Sequence, residues 1–274
     1  MRKLTVVVAL LCFGSVAFAQ GKKGKAPAKG GDPKNAPLYT LDTEKAKDPP
    51  AGSGLAAILK SHHVRVCVRS DVPPFGYFSR WGLKGLDIQL ARAIVNQLSI
   101  DYKVVLAVDW SVVSAGRRVA RLKAKSCDLL VATFSNTRAR ARQVGLSKVY
   151  LQTDKVLLAS ESPKAKAVIG RVRGTTGKAG GVKGKTRYFN TYQEIIYGME
   201  AGDVDYVVAD RPVAVHLQRS VNKKFKITKT LAKNAENYSI GVNKKHKALL
   251  DAVNKALTDL ANSGQLALMY RRWL

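Results

Sequence analysis

The sequence predicts an α/β fold built from two consecutive α/β units. Three observations predict it. Short β-branched runs alternate with apolar stripes of helical spacing, the alternation occurs twice along the chain, and two helices close the chain after the last strand.

In the first unit, Val64 to Val68 alternates and is β-branched, which reads as a strand, and Pro73-Pro74 ends it. Leu86, Leu90, Ile94, Val95 and Leu98 form a helical stripe. Tyr102 to Val108 reads as strand, Val112 to Lys125 as helix, and Asp128 to Thr133 as a buried strand. Strand–helix–strand order implies parallel pairing through right-handed crossovers.

The second unit repeats the theme. Lys155 to Ala159 and Ala167 to Val172 read as strands, and so does Thr186 to Asn190. Thr191 to Glu194 is a capping box that opens a helix reaching about Gly202. Val204 to Ala209 is a buried strand and Pro212 to Ser220 a helix. Phe225 to Lys229 and Tyr238 to Val242 are short strands, followed by helices over Lys245 to Asn262 and Ser263 to Arg272.

The N-terminus reads as a segment for export. Arg2 and Lys3 precede an apolar run from Leu4 to Phe18, and Ala17-Phe18-Ala19 is a small-x-small cleavage pattern. The run is shorter than the roughly 20 residues of a spanning helix, so residues 1–19 are expected to be a cleaved signal. Residues 20–54 are rich in Gly, Pro and Lys without apolar periodicity, a flexible tail.

Across 274 residues, 47 Lys and Arg face 19 Asp and Glu, a net charge of +28. The first 54 residues hold five units of that excess, so +23 belongs to the folded part. Such a balance first suggests a polyanion partner. No zinc, helix-turn-helix or RNA-platform pattern supports nucleic-acid reading, however. The four histidines lack metal-ligand spacing, and neither GxSxG nor GxGxxG is present. Gly184-Lys185-Thr186 lacks the earlier glycine of a phosphate loop, where Ala179 stands. No cofactor is therefore expected. Cys67 and Cys127 lie in or beside strands of the first unit, and a disulfide and two buried thiols are both open.

Six segments, in order, carry a resemblance. They are VRVCVRSDVPPFGYFSRWGLKGLDIQLARAI, SCDLLVATFSNTRARARQVGLSKVY, VRGTTGK, VDYVVADRPVA, NYSIGVNK and LANSGQLALMYRRWL. Together they resemble the family 3 extracellular solute-binding proteins of polar amino-acid ABC importers, over nearly all of residues 62–274. The resemblance implies a two-lobed, type II periplasmic-binding-protein fold with two parallel-rich sheets joined by two crossover strands. Lobe 1 would hold 55–152 plus 239–274, and lobe 2 would hold 153–238. The crossings would lie near Tyr150–Thr153 and Asn237–Ser239, with the ligand in the cleft between.

The same resemblance implies ligand contacts. Arg140, after the third strand, would grip the ligand carboxylate with its planar fork. Thr133 and Ser135 would add contacts from the same turn. Thr176, in the Gly174-Thr175-Thr176-Gly177 turn, would sit at a carboxylate-contacting anion seat. Gly177, Gly180 and Gly181 disfavour the helix the family places after that turn. Asp210 would accept the α-ammonium. Arg69 stands five residues before Pro74, where binders of basic amino acids carry aspartate. With Arg118 it aligns to arginines of acidic-amino-acid binders, so glutamate or aspartate is the expected ligand. Trp110 and Phe75 would pack on the ligand's aliphatic part or belong to the core.

The expected protein is a periplasmic, monomeric, non-enzymatic carrier. It would deliver a free amino acid to an ABC permease in the inner membrane, with no nucleic acid among its partners. The alternatives are a binder of another polar amino acid such as glutamine, an enzyme resembling cyclohexadienyl dehydratases, and a basic envelope protein that binds polyanions.

Overall fold

A computed structural model describes residues 48–177, 181–221 and 225–274. The signal assigned to 1–19 and the tail as far as residue 47 lie outside the described residues.

The elements run α1 (Gly54–Ser61), β1 (His63–Val68), β2 (Asp71–Val72), β3 (Gly76–Ser79), β4 (Gly82–Lys84), α2 (Leu86–Asp101) and β5 (Ala107–Val112). Then come α3 (Arg118–Lys123), β6 (Leu129–Leu130), α4 (Arg138–Ala141), β7 (Gly145–Ala159), β8 (Ala167–Val172) and β9 (Gly184–Phe189). The chain continues with α5 (Tyr192–Glu200), β10 (Tyr206–Asp210), α6 (Arg211–Ser220), β11 (Lys226–Val242), α7 (Lys247–Asn262) and α8 (Gln265–Trp273).

Eight strands form one mixed sheet in the order β5-β1-β6-β11-β7-β10-β8-β9, and β2, β3 and β4 form a small antiparallel sheet. Pairing is parallel at each outer end, where β1 meets β5 and β6, and β8 meets β9 and β10. It is antiparallel in the middle, where β7 and β11 lie side by side. Helices α1, α2, α7 and α8 pack together over the β1 end, whereas α5 and α6 cover the β8–β10 end. This is a two-lobed α/β fold. The two longest strands, β7 and β11, pair with each other, with Gln152 opposite Asn237 and Leu151 opposite Tyr238. Both expected crossings thus fall inside long, continuous strands. Breaks in register fall between Ala232 and Glu236 and between Tyr238 and Ser239 on β11.

Several boundaries differ from the sequence reading. Helix α2 runs on to Asp101, and Lys103 turns the chain at φ 52°, so the second strand begins at Ala107 instead of Tyr102. The expected helix from Val112 shortens to Arg118–Lys123 after a 3-10 turn at Ala115–Arg117, because Val112 and Val113 continue the pairing of β5 with β1. Helix α1 begins at the last residue of the expected tail, Gly54, and runs into the first unit. The Ser53 hydroxyl caps it by accepting the Ala56 N–H at 3.1 Å, and Leu55 and Ile58 reach the core.

The two open readings of the cysteines resolve to a disulfide between Cys67 and Cys127, with Cα atoms 5.7 Å apart. It lies in a buried cluster with Val113, Leu122, Leu130, Phe134 and Val144, and ties β1 to the chain entering β6.

Candidate functional site

Four strand ends and the two crossover strands bring charged side chains to one buried region, an arrangement usual for ligand sites of open α/β sheets. Arg69 follows β1 and is 1% exposed. Its Nε and Nη2 donate to Asp71 Oδ1 and Oδ2 at 2.8 and 2.7 Å, a bidentate pair. Burial acts most strongly on Arg69 and opposes its charge, but Asp71 outweighs it, and the guanidinium pKa lies above its ordinary value. Gly76 makes this turn possible, since a Cβ there would lie 2.1 Å from the Arg69 carbonyl oxygen.

Arg118 opens α3 and is 2% exposed. It donates to four carbonyls: Ala115 at 2.8 Å, Ala132 at 2.7 Å, Thr133 at 2.8 Å and Gly174 at 2.9 Å. Burial first, then the charges of Arg140 and Arg69, pull its pKa down to about 9. Arg140 lies in α4, where the Thr137 hydroxyl caps the turn by accepting the Arg140 N–H at 3.3 Å. It donates to Ser135 O at 2.8 Å and to Gly174 O at 3.1 Å. The Phe134 ring lies beneath both guanidiniums, 4.4 Å from that of Arg140 and 5.2 Å from that of Arg118. Burial lowers the Arg140 pKa against the pull of Glu236, Tyr238 and Asp210.

Gly174 therefore offers its carbonyl, not its N–H, to the arginines. Its φ of +77° belongs to glycine, and a Cβ there would lie 2.4 Å from Gly116 Cα. The following residues turn without a helix, as Thr175 returns its N–H and its hydroxyl to Val172 O.

Thr133 ends the β6 segment at φ 45°. Its N–H donates to Asp87 Oδ2 at 2.7 Å, and the Tyr150 hydroxyl donates to Asp87 Oδ1 at 2.8 Å. Burial raises the Asp87 carboxyl to about 6, although these two hydrogen bonds and the charges of Arg69 and Arg118 oppose it.

A second group belongs to β7, β10 and β11. Lys155 is 3% exposed and bonds Asp210 Oδ1, while the Tyr238 hydroxyl donates to Asp210 Oδ2. Asp210 stands at the N-cap position of α6 but makes no side-chain cap bond, so its carboxylate serves this cluster. Lys155 Nζ also lies 3.2 Å from Glu236 Oε1, which accepts the Thr176 hydroxyl at 2.6 Å. Thr176 Oγ1 is 3.2 Å from Ser135 Oγ. For Glu236, burial is the largest influence and raises the pKa. Lys155 and the Ser135 and Thr176 hydroxyls overcome it, and the net shift is downward.

The structure thus links Arg118, Arg140, Thr133, Ser135, Thr176 and Asp210 through shared hydrogen-bond partners, and Arg69, bonded to Asp71, joins them through its charge on Asp87 and Arg118. Trp110 belongs elsewhere: it packs against the core from β5, with the Arg92 guanidinium 5.5 Å from its ring. Phe75 is fully buried and meets Tyr238 edge-on at 5.4 Å. Sequence reading missed Asp87, Lys155 and Glu236. The available signal was strand alternation. Lys155 alternates with Thr153 and Leu157, and Glu236 with Tyr238, all of them buried.

Residues 64–274 match the family model of bacterial extracellular solute-binding proteins, family 3. The chain belongs to that family. This solute-binding protein is 26% identical over 236 residues to the ABC transporter glutamine-binding protein GlnH of Bacillus subtilis, covering 80% of this chain and 84% of the relative. It is 23% identical over 237 residues to the glutamate-binding protein GluB of Corynebacterium efficiens, covering 79% and 80%. Among solved structures, an ancestral arginine-binding protein bound to glutamine superposes with a TM-score of 0.70 at 26% identity, over 78% of this chain and 98% of that one.

Proposed function

We propose that this family 3 solute-binding protein is the amino-acid-binding component of an ABC importer, exported by its N-terminal segment to the periplasm, monomeric, and specific for glutamate or aspartate. The observation that carries the acidic preference is the gathering of Arg69, Arg118 and Arg140. Their mutual repulsion contributes to the depressed pKa of Arg118, and a bound anion relieves it. Arg140 takes the α-carboxylate. Two of its N–H groups reach the Ser135 and Gly174 carbonyls, and three remain for an anion among the described residues. An acidic group of the second cluster takes the ammonium.

In this reading the lobes divide at 152/153 and 238/239. Ligand closes them, a membrane permease reads the closed form, and no bond is made or broken.

One observation favours a second ligand, glutamine. Four cations (Arg69, Arg118, Arg140, Lys155) stand with four carboxylates (Asp71, Asp87, Asp210, Glu236), so a ligand without net charge also leaves the cleft balanced. Relatives named for glutamine and for glutamate leave room for either.

Titration calorimetry with glutamate, aspartate, glutamine, arginine and lysine decides between them. Tightest binding of glutamate or aspartate supports the acidic reading. Tightest binding of glutamine selects the second, and binding of arginine or lysine alone refutes both.

A further inference from the structure

Resting on the amino-acid reading, we infer that Glu236, and not Asp210, accepts the ligand's ammonium group. Both oxygens of Asp210 already have buried partners. Oδ1 holds the Lys155 ammonium and Oδ2 the Tyr238 hydroxyl, and these two side chains are 3% and 0% exposed. Lys155 thus already supplies Asp210 with an ammonium partner.

Among the described residues, Glu236 has a partner on one oxygen only. It is 5% exposed, and its Oε1 accepts from Thr176 and faces Lys155. Its Oε2 is buried with no hydrogen-bond partner among the described residues. An unpaired carboxylate oxygen at that depth is costly, and the cost falls when a donor arrives.

The neighbours suit an ammonium. Such a group has three donors. Beside Glu236 stand two hydroxyls with lone pairs to offer: Thr176, which donates to Oε1 and lies 3.4 Å from Lys155 Nζ, and Ser135, 3.2 Å from Thr176 Oγ1. Ser135 also connects this seat to the carboxylate site, because its carbonyl accepts from Arg140 at 2.8 Å. An α-amino acid carries its carboxylate and ammonium on one carbon, so it requires adjacent seats of opposite charge. Arg140 and Glu236, joined through Ser135, form such a pair. Lys155 then acts as the fixed counter-ion shared by Asp210 and Glu236 Oε1, and Oε2 remains for the ligand.

The test compares each amino acid with its counterpart lacking the ammonium: glutamate with glutarate, and glutamine with glutaramate. Affinities are measured by calorimetry for the unaltered protein, Glu236→Gln and Asp210→Asn. The unaltered protein is expected to prefer the amino acid. Glu236→Gln is expected to weaken the amino acid roughly 10- to 100-fold, the range of a charged hydrogen bond, and to leave the counterpart little changed. Asp210→Asn is expected to retain the preference. Loss of the preference in Asp210→Asn, or its retention in Glu236→Gln, overturns the assignment. If Glu236→Gln does not fold, Glu236→Asp serves, since it keeps the charge but draws it back by one methylene. Weakening of the amino acid alone supports the inference, and equal weakening of both compounds overturns it. If the unaltered protein binds none of the four compounds and no other amino acid, the amino-acid reading itself fails, a result distinct from a misplaced ammonium seat.

Discussion

The Asp87 carboxylate holds the backbone N–H of Thr133 at 2.7 Å, and Thr133 has a φ of 45°. A threonine in the left-handed region carries strain of about 1–3 kcal/mol. The helix α2 carboxylate thus fixes the turn whose carbonyl receives Arg118.

Asp87 also predicts a pH dependence. Its pKa is about 6 in the folded chain and an ordinary 3.8 when exposed. Between these values the unfolded chain has lost the proton that the folded chain retains. Rising pH through this window therefore favours unfolding, by roughly 3 kcal/mol in all for a two-unit shift. Thermal melts from pH 4 to 7 are expected to show this decline in the unaltered protein and a flatter profile in Asp87→Asn. Parallel profiles exclude it.

Arg118→Lys is expected to destabilise the fold by about 3 kcal/mol or more. One ammonium cannot reach four carbonyls, so buried acceptors lose their partners. Urea unfolding measures the loss, and a change under about 1 kcal/mol contradicts the role.

Arg140→Lys preserves charge but removes the planar fork. Ligand affinity is expected to fall at least about tenfold, and Arg140→Met to fall further, with little change in the melting temperature. Equal affinity of Arg140→Lys and the unaltered protein places the carboxylate elsewhere.

The Cys67–Cys127 bridge closes a 60-residue separation. In the chain-entropy model a loop of that size stabilises by about 4 kcal/mol. The Cys67→Ser/Cys127→Ser double variant is expected to unfold at a clearly lower guanidinium midpoint than the oxidised protein, and to match the reduced one. Equal midpoints with and without reductant refute it.

Most of the framework was legible because strands such as Val64–Val68 and Tyr206–Asp210 alternate or run apolar between turn residues. The small sheet β2–β4 was not. Its strands of two to four residues are too short to show a period. Within the site, Arg140 and Asp210 were found through the positions of a family pattern. Lys155 was missed because it opens a strand assigned from its apolar members, and Glu236 because it fell between two short strands that the structure joins into β11. The pairing of Arg69 with Asp71 could not be read from spacing, since it depends on the bend that Gly76 permits.

Arg118 and Arg140 both end on the carbonyl oxygen of Gly174. Every residue type has that oxygen, so no substitution at 174 deletes the acceptor. The contact is exposed to mutation from one side only. A change of either arginine removes a donor outright, while a change at 174 acts through geometry, by crowding Gly116 and disfavouring the backbone angle. Gly174→Ala should accordingly behave as a spacing defect that a compensating shift elsewhere in the chain can repair, and screens for restored binding should recover second-site revertants from Gly174→Ala more readily than from Arg118 or Arg140 variants.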